Sequence, residues 1–128
     1  MKARIGVASE DLIRRHMISV AAGNISHNKH LPTFWFTSLD EVSKLLCNEN
    51  IELILLISRG KPESLAELAE ISGHHTRELS RTLDDLSSKG FIQFEEKGNA
   101  CRPIAVFTDF EIILGKELKN TLQEGYLA

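Results

Sequence analysis

The chain has 128 residues, a formal net charge of −3 and 42% hydrophobic residues, which suits one compact domain with an extension and supplies enough apolar side chain for a core. No apolar run reaches the ~18–20 residues of a membrane span, and the N-terminus lacks the apolar stretch of a secretory signal, so a cytoplasmic location with no membrane contact is expected. Cys47 and Cys101 match no metal-ligand or redox spacing and read as reduced thiols.

Residues 3–8 form a short β-prone run. Ser9 with Glu10 and Asp11 then opens a helix, because acids in the first turn complement the helix dipole. Leu12, Ile13, Met17, Val20 and Ala21 fall on one stripe through about Gly23, with Arg14, Arg15 and His16 on the polar side. An amphipathic helix outside the main core needs a partner surface. Either it packs back on its own domain or, as is expected here, it pairs with a second subunit, with Leu12, Ile13, Met17 and Val20 at the contact. Residues 24–33 form a polar connection containing His27 and His30. These lack a third ligand of matching order and are expected to be loop histidines, with no metal bound. Phe34, Trp35 and Phe36 form a β-prone run expected to anchor the extension onto the main domain.

Ser38 and Glu41 have the spacing of a capping box and open a helix through Leu46, with Leu39, Val42, Leu45 and Leu46 inward. Asn48 is expected to cap a helix over 49–59, where Ile51, Leu53, Ile54, Leu55, Leu56 and Ile57 are apolar nearly all round. A helix of that pattern is buried on several sides. Gly60-Lys61-Pro62-Glu63 breaks the chain.

Ser64 and Glu67 repeat the capping-box spacing. Leu65, Leu68, Ala69 and, less centrally, Ile71 give the next helix its apolar positions. Gly73 ends it and can take the left-handed conformation that a sharp turn needs. A further helix runs from Thr76 to about Lys89, with Leu79, Leu83 and Leu86 on one face. Its opposite face carries Arg77, Arg81, Asp84 and Ser88, flanked by Thr76 and Ser80. Two short helices, a glycine turn and a shared leucine core are the helix-turn-helix pattern, whose second helix enters the DNA major groove.

Gly90 stops that helix. Phe91, Ile92 and Phe94 and then Ile104, Val106 and Phe107 make two β-prone runs around a turn at Gly98 and Asn99. A hairpin directly after a recognition helix is a wing, and Lys97, Asn99 and Arg102 are the groups able to reach DNA backbone from it. Residues 109–114 extend as a strand and 115–128 form a tail. The expected fold is mainly α with a small β component: a winged helix-turn-helix over 38–114, a helical and strand extension over 1–37 for dimerisation, and the tail.

Charge is uneven. Residues 1–35 carry five basic against two acidic residues, whereas residues 59–102 carry seven against eight. Weak non-specific DNA affinity follows, since that term scales with the phosphates neutralised. A dimer would compensate by doubling each contact.

The order FTSLDEVSKLL, NIELILLI, KPESLAELAEISG and LSRTLDDLSSKGFIQFEE, with RIGVASEDL and TFWFTSL before it, resembles the MarR-like winged-helix regulators, in particular small predicted DNA-binding antitoxins. The resemblance runs from about Arg4 to Leu114. It implies a homodimer that binds double-stranded operator DNA, often its own promoter, as a repressor, and for an antitoxin a toxin as second partner. Ser80 and Arg81 carry over most directly. The chain departs from the pattern at His74-His75-Thr76-Arg77-Glu78, where relatives tend to be basic or small and polar. His74 and His75 are either neutral turn residues donating one hydrogen bond each or groups whose protonation adds charge beside phosphates, in which case DNA affinity rises as pH falls from about 7.5 to 6.

Two other readings compete. A protein-interaction module on the same scaffold, without DNA, would draw on the acidic balance and the apolar N-terminal helix. An enzyme is not expected. The chain has no Gly-rich phosphate loop, no metal-ligand cluster and no nucleophile placed with a base, and no cofactor is implied.

Overall fold

The computed structural model describes residues 2–23, 31–115 and 118. His27, His30 and the tail beyond Gly115, Leu118 excepted, lie outside them. In chain order the elements are β1 (Lys2–Val7), α1 (Glu10–Ala21), β2 (Phe34–Phe36), α2 (Leu39–Leu45), α3 (Asn48–Gly60), α4 (Leu65–Ser72), α5 (Thr76–Ser88), β3 (Ile92–Lys97), β4 (Ala100–Ala105) and β5 (Asp109–Leu114). They sort into two units: Ser43–Thr108, and the described residues of 2–42 together with those of 109–128.

The second of these units is built on a three-stranded sheet in the order β2-β1-β5. β1 runs parallel to both neighbours, with Ile5 opposite Phe34 and Gly6 opposite Ile113. Parallel strands cannot be joined by a tight hairpin. α1 lies in the connection between β1 and β2, and β5 arrives only after the whole Ser43–Thr108 unit. Residues 109–114 therefore cluster with β1, and so do residues 38–42, where the expected winged domain ran over 38–114. The reason is pairing: all six residues of β5 are in register with β1.

Ser9 caps α1, its Oγ accepting the Leu12 N–H at 3.2 Å. Leu12 packs with Ala8 and Trp35 against the buried Leu31, Ile113 and Leu118. His16, placed on the polar side by the apolar periodicity, is instead only 4% exposed, with its ring 5.0 Å from that of Trp35. It sits one turn after Leu12, so the buried stripe runs through Leu12 and His16. Ile13 is half-buried, while Met17 and Val20 are 46% and 49% exposed. The aromatic Trp35 thus packs within its own unit. The basic residues of β1 and α1 are held by acids: Lys2 and Arg4 by Glu111 at 3.2 and 2.9 Å, Arg14 by Glu10 and Arg15 by Asp11.

Ser38 Oγ accepts the Glu41 N–H at 3.2 Å and starts α2. Val42 and Leu46 are buried, whereas Leu39, expected inward, is exposed. α3 begins one residue earlier than expected: Cys47, not Asn48, is its N-cap. Asn50 supplies a local tie by donating its side-chain amide to the Leu45 carbonyl at 2.8 Å. Leu53, Ile54 and Ile57 are buried. Ile51, Leu55 and Leu56 are half-buried, as suits a helix apolar nearly all round. α3 closes on Lys61 in the left-handed conformation at φ 44°, the Lys61 N–H donating to the Ile57 carbonyl at 3.0 Å.

The rest of the Ser43–Thr108 unit is a winged helix. Ser64 Oγ accepts the Glu67 N–H at 3.0 Å, and the Glu67 carboxylate accepts the Glu63 N–H at 3.3 Å. That is the capping-box exchange, shifted by one residue on the return side. Leu68 is buried in α4, and Gly73 turns the chain at φ 76°. Leu79, Leu83 and Leu86 of α5 are buried. The Phe91 N–H donates to the Leu86 carbonyl and the Gly90 N–H to that of Ser87, both at 3.0 Å. This paired closure is a Schellman motif, with Gly90 at φ 90° and Phe91 fully buried behind it. The chain then enters the antiparallel β3–β4 hairpin. The fold class is the expected one, mainly α with a small β component.

Candidate nucleic-acid interface

The buried leucines of α5 fix which side of the helix faces out. Thr76, Arg77, Ser80, Arg81 and Asp84 are all exposed. Arg77 and Arg81 lie one turn apart on the outer face, and neither forms an ion pair among the described residues. Thr76 and Ser80 flank them on one side, and Glu78 lies on the other. The acids Asp84 and Asp85 fall further toward the C-terminal end. The helix offers two guanidinium groups and two hydroxyls over its first turn and a half.

At the entry to α5, His75 is the N-cap residue and its side chain makes no capping bond. The His74 N–H donates to Ser72 Oγ at 3.3 Å. Both histidines are exposed. The first-turn amides of α5 have no side-chain cap, and such amides with the positive end of the helix dipole favour an anion.

The hairpin separates the three expected wing residues. Gly98 and Asn99 form the turn, Gly98 at φ 66°, and both are exposed. Lys97 closes β3 opposite Ala100; its side chain lies outside the described residues. Arg102 is not at the tip. It lies within β4, directly opposite Glu95, and its Nη2 contacts the Glu95 carboxylate at 3.4 Å. A two-residue turn at Gly98 and Asn99 makes residues 95 and 102 cross-strand partners, so this placement was readable from the turn. The Arg102 Nε is buried with no acceptor among the described residues.

The expected contact residues of α1 lie in the other unit. Leu12 is taken up by its own core, Ile13 is half-buried, and Met17 and Val20 remain exposed with Ile18 beside them. Among the described residues no group of three His, Cys, Asp or Glu side chains could hold a metal, and no helix is long and apolar enough to cross a membrane.

A model of the HVO_A0114 family matches residues 45–112, from the last residue of α2 to within β5. The chain is also similar to the crystal structure of a MarR-like transcriptional regulator from Thermotoga maritima, at 14% identity and a TM-score of 0.42, over 92% of this chain and 73% of that one. No curated protein matches the chain.

Proposed function

The chain belongs to the HVO_A0114 family, and since the matched segment contains the whole helix-turn-helix and hairpin, we propose that it is a sequence-specific DNA-binding regulator, with α5 as recognition helix. One observation carries this reading: Arg77 and Arg81, exposed and free of ion pairs among the described residues, stand over a buried leucine stripe in a helix that a glycine turn precedes and a hairpin follows. Arginine to the guanine edge is the commonest specific base contact. Thr76 and Ser80 take bases or phosphate. The uncapped start of α5, with His74 and His75, takes phosphate. Lys97 and Asn99 hold backbone from the wing. Arg102, engaged by Glu95, is the weakest candidate for a wing contact.

The regulator is further proposed to act as a homodimer and a repressor of its own promoter. The exposed Met17 and Val20 of α1 supply the apolar surface for subunit pairing. Doubling the contacts offsets the scarcity of basic charge. A toxin partner is implied by the resemblance to antitoxins and by no feature of the fold. The rival, a DNA-free interaction module, takes its support from the same exposed α1 residues and from the acidic balance.

An anisotropy titration against the protein's own upstream DNA, with scrambled DNA as competitor and at two salt concentrations, separates the two. Tight, salt-sensitive binding that scrambled DNA fails to compete supports the regulator. Equal binding to both DNAs moves the weight to the interaction module.

A further inference from the structure

Of the 12 residues of α1 one is buried, and it is the titratable His16. Leu12 and Ile13 before it are half-buried. After it only Ser19 is half-buried, while Met17, Ile18, Val20 and Ala21 are exposed. The second half of the helix is therefore held to its own sheet chiefly through one imidazole. That ring lies 5.0 Å from the Trp35 ring, with the two planes tilted by 50°. A leucine in this place would hold at any pH. An imidazole holds in an apolar contact while it is neutral.

The contact has no provision for a charge. His16 Nδ1 is buried with no hydrogen-bond partner among the described residues. A neutral ring can leave Nδ1 as a bare acceptor and carry its proton on Nε2, but the cation bears N–H on both nitrogens. The second proton thus arrives as a charged donor with nothing to receive it. The charged groups of the surrounding elements are engaged elsewhere or exposed. Glu10 and Asp11 of α1 pair with Arg14 and Arg15. β2 carries no charge over Phe34–Phe36. Lys2, Arg4, Asp109 and Glu111 alternate onto the sheet face of Gly6 and Ile113; Glu111 holds Lys2 and Arg4, and Asp109 is exposed. The core behind Trp35, made of Leu31, Ile113 and Leu118, is apolar. An indole face attracts a cation, but this recovers only a minor part of the hydration that a buried charge gives up. Burial accordingly holds the imidazole below its ordinary 6.5.

Once charged, the ring reaches water by leaving Trp35, and no other buried residue anchors α1 beyond it. We infer that the His16–Trp35 contact is an acid-released latch: a proton taken up by His16 frees α1 from Met17 onward from the sheet core, and the contact re-forms when the proton leaves. The device is intrinsic to one subunit and needs neither DNA nor subunit pairing. Where α1 pairs subunits as proposed, acid removes the fixed surface that Met17, Ile18 and Val20 present.

Trp35 is the one tryptophan of the chain and reports the contact directly. Its emission maximum and its quenching by acrylamide are followed from pH 8 to 5 at fixed salt, beside NMR of the full chain over the same range. The expected result is a reversible red shift with rising acrylamide access, centred below the ordinary 6.5 of a histidine. Amide shifts should be confined to α1 and the strands under it, while α4 and α5 keep their dispersed signals. The ring-proton shifts of His16 should give the same midpoint in the parent protein, with no substitution needed. In His16→Phe, which keeps an aromatic ring on Trp35 and takes up no proton, the emission and quenching traces should stay flat. A flat trace in the parent, a red shift that persists in His16→Phe, a His16 ring that titrates while Trp35 stays shielded, or a collapse of all amide signals together would each overturn the latch.

Discussion

Trp35 packs so closely over Gly6 that a β-carbon there would lie 2.6 Å from Cζ3 and 2.8 Å from Cε3 of the indole, and 3.0 Å from Pro32 Cγ. The two residues are directly opposite in the β1–β2 register. Gly6 is therefore required by close approach and not by backbone conformation. Gly6→Ala should destabilise the protein by about 1–3 kcal/mol through overpacking, read as a lower urea midpoint. An unchanged midpoint would mean that the indole can move aside at no cost.

Gly73 makes the opposite case. A β-carbon there meets nothing within 4 Å, yet its φ is +76°. Gly73→Ala should cost about 1–2 kcal/mol from the left-handed backbone alone. The loss should appear in denaturant unfolding, with Gly73→Asn losing less than Gly73→Ala. Equal losses in the two variants would point away from backbone conformation as the cause.

His16 predicts an acid limb in stability. Burial lowers its pKa below the ordinary 6.5 by penalising the charged form. The unfolded chain takes up the proton near that ordinary value while the folded chain does not. The native state is favoured fully above pH 6.5, and stability falls as pH drops below it toward the depressed folded value. In His16→Leu this part of the slope should vanish, so midpoints recorded between pH 7.5 and 5 should fall less steeply than in the parent. Parallel curves would place the titrating group elsewhere.

For the proposed interface, Arg81→Ala should cost about 1–3 kcal/mol of specific affinity and relax discrimination at one base position. Arg77→Ala should behave similarly at a neighbouring position. Both residues are exposed, so unfolding midpoints should barely move. Competition binding with single-base operator variants reads the specificity change, and unaltered specificity in both variants would put the wrong helix face in the groove.

The proposed dimer gives a separate prediction. Placing charge on the exposed α1 surface with Met17→Glu and Val20→Glu should shift the protein from dimer to monomer in analytical ultracentrifugation and weaken operator binding. Dimers of unchanged stability in the double variant would remove α1 from the interface.

The local elements were legible because their signals are short-range. Two capping-box spacings, the four-and-three spacing of Leu79, Leu83 and Leu86, and glycines at residues 73, 90 and 98 act within a turn or two. They placed α2, α4, α5 and the wing to within a residue or so. Two details are local as well. Asn48 is not the cap of α3, because Cys47 already has the extended backbone of an N-cap. Arg102, which flanks the turn, lies within β4, where the register pairs it with Glu95.

Short-range spacing thus sets the succession of elements and the face that each helix buries wherever that spacing is unambiguous. The tertiary structure alone decided what joins distant segments. β5 pairs with β1 across about a hundred residues, and parallel pairing leaves no hairpin signal to announce it. Glu111 holds Lys2 and Arg4, so charges that look like a basic N-terminus are already paired. His16 is buried because Trp35, nineteen positions away, supplies the surface against it, and no periodicity within α1 carries that information.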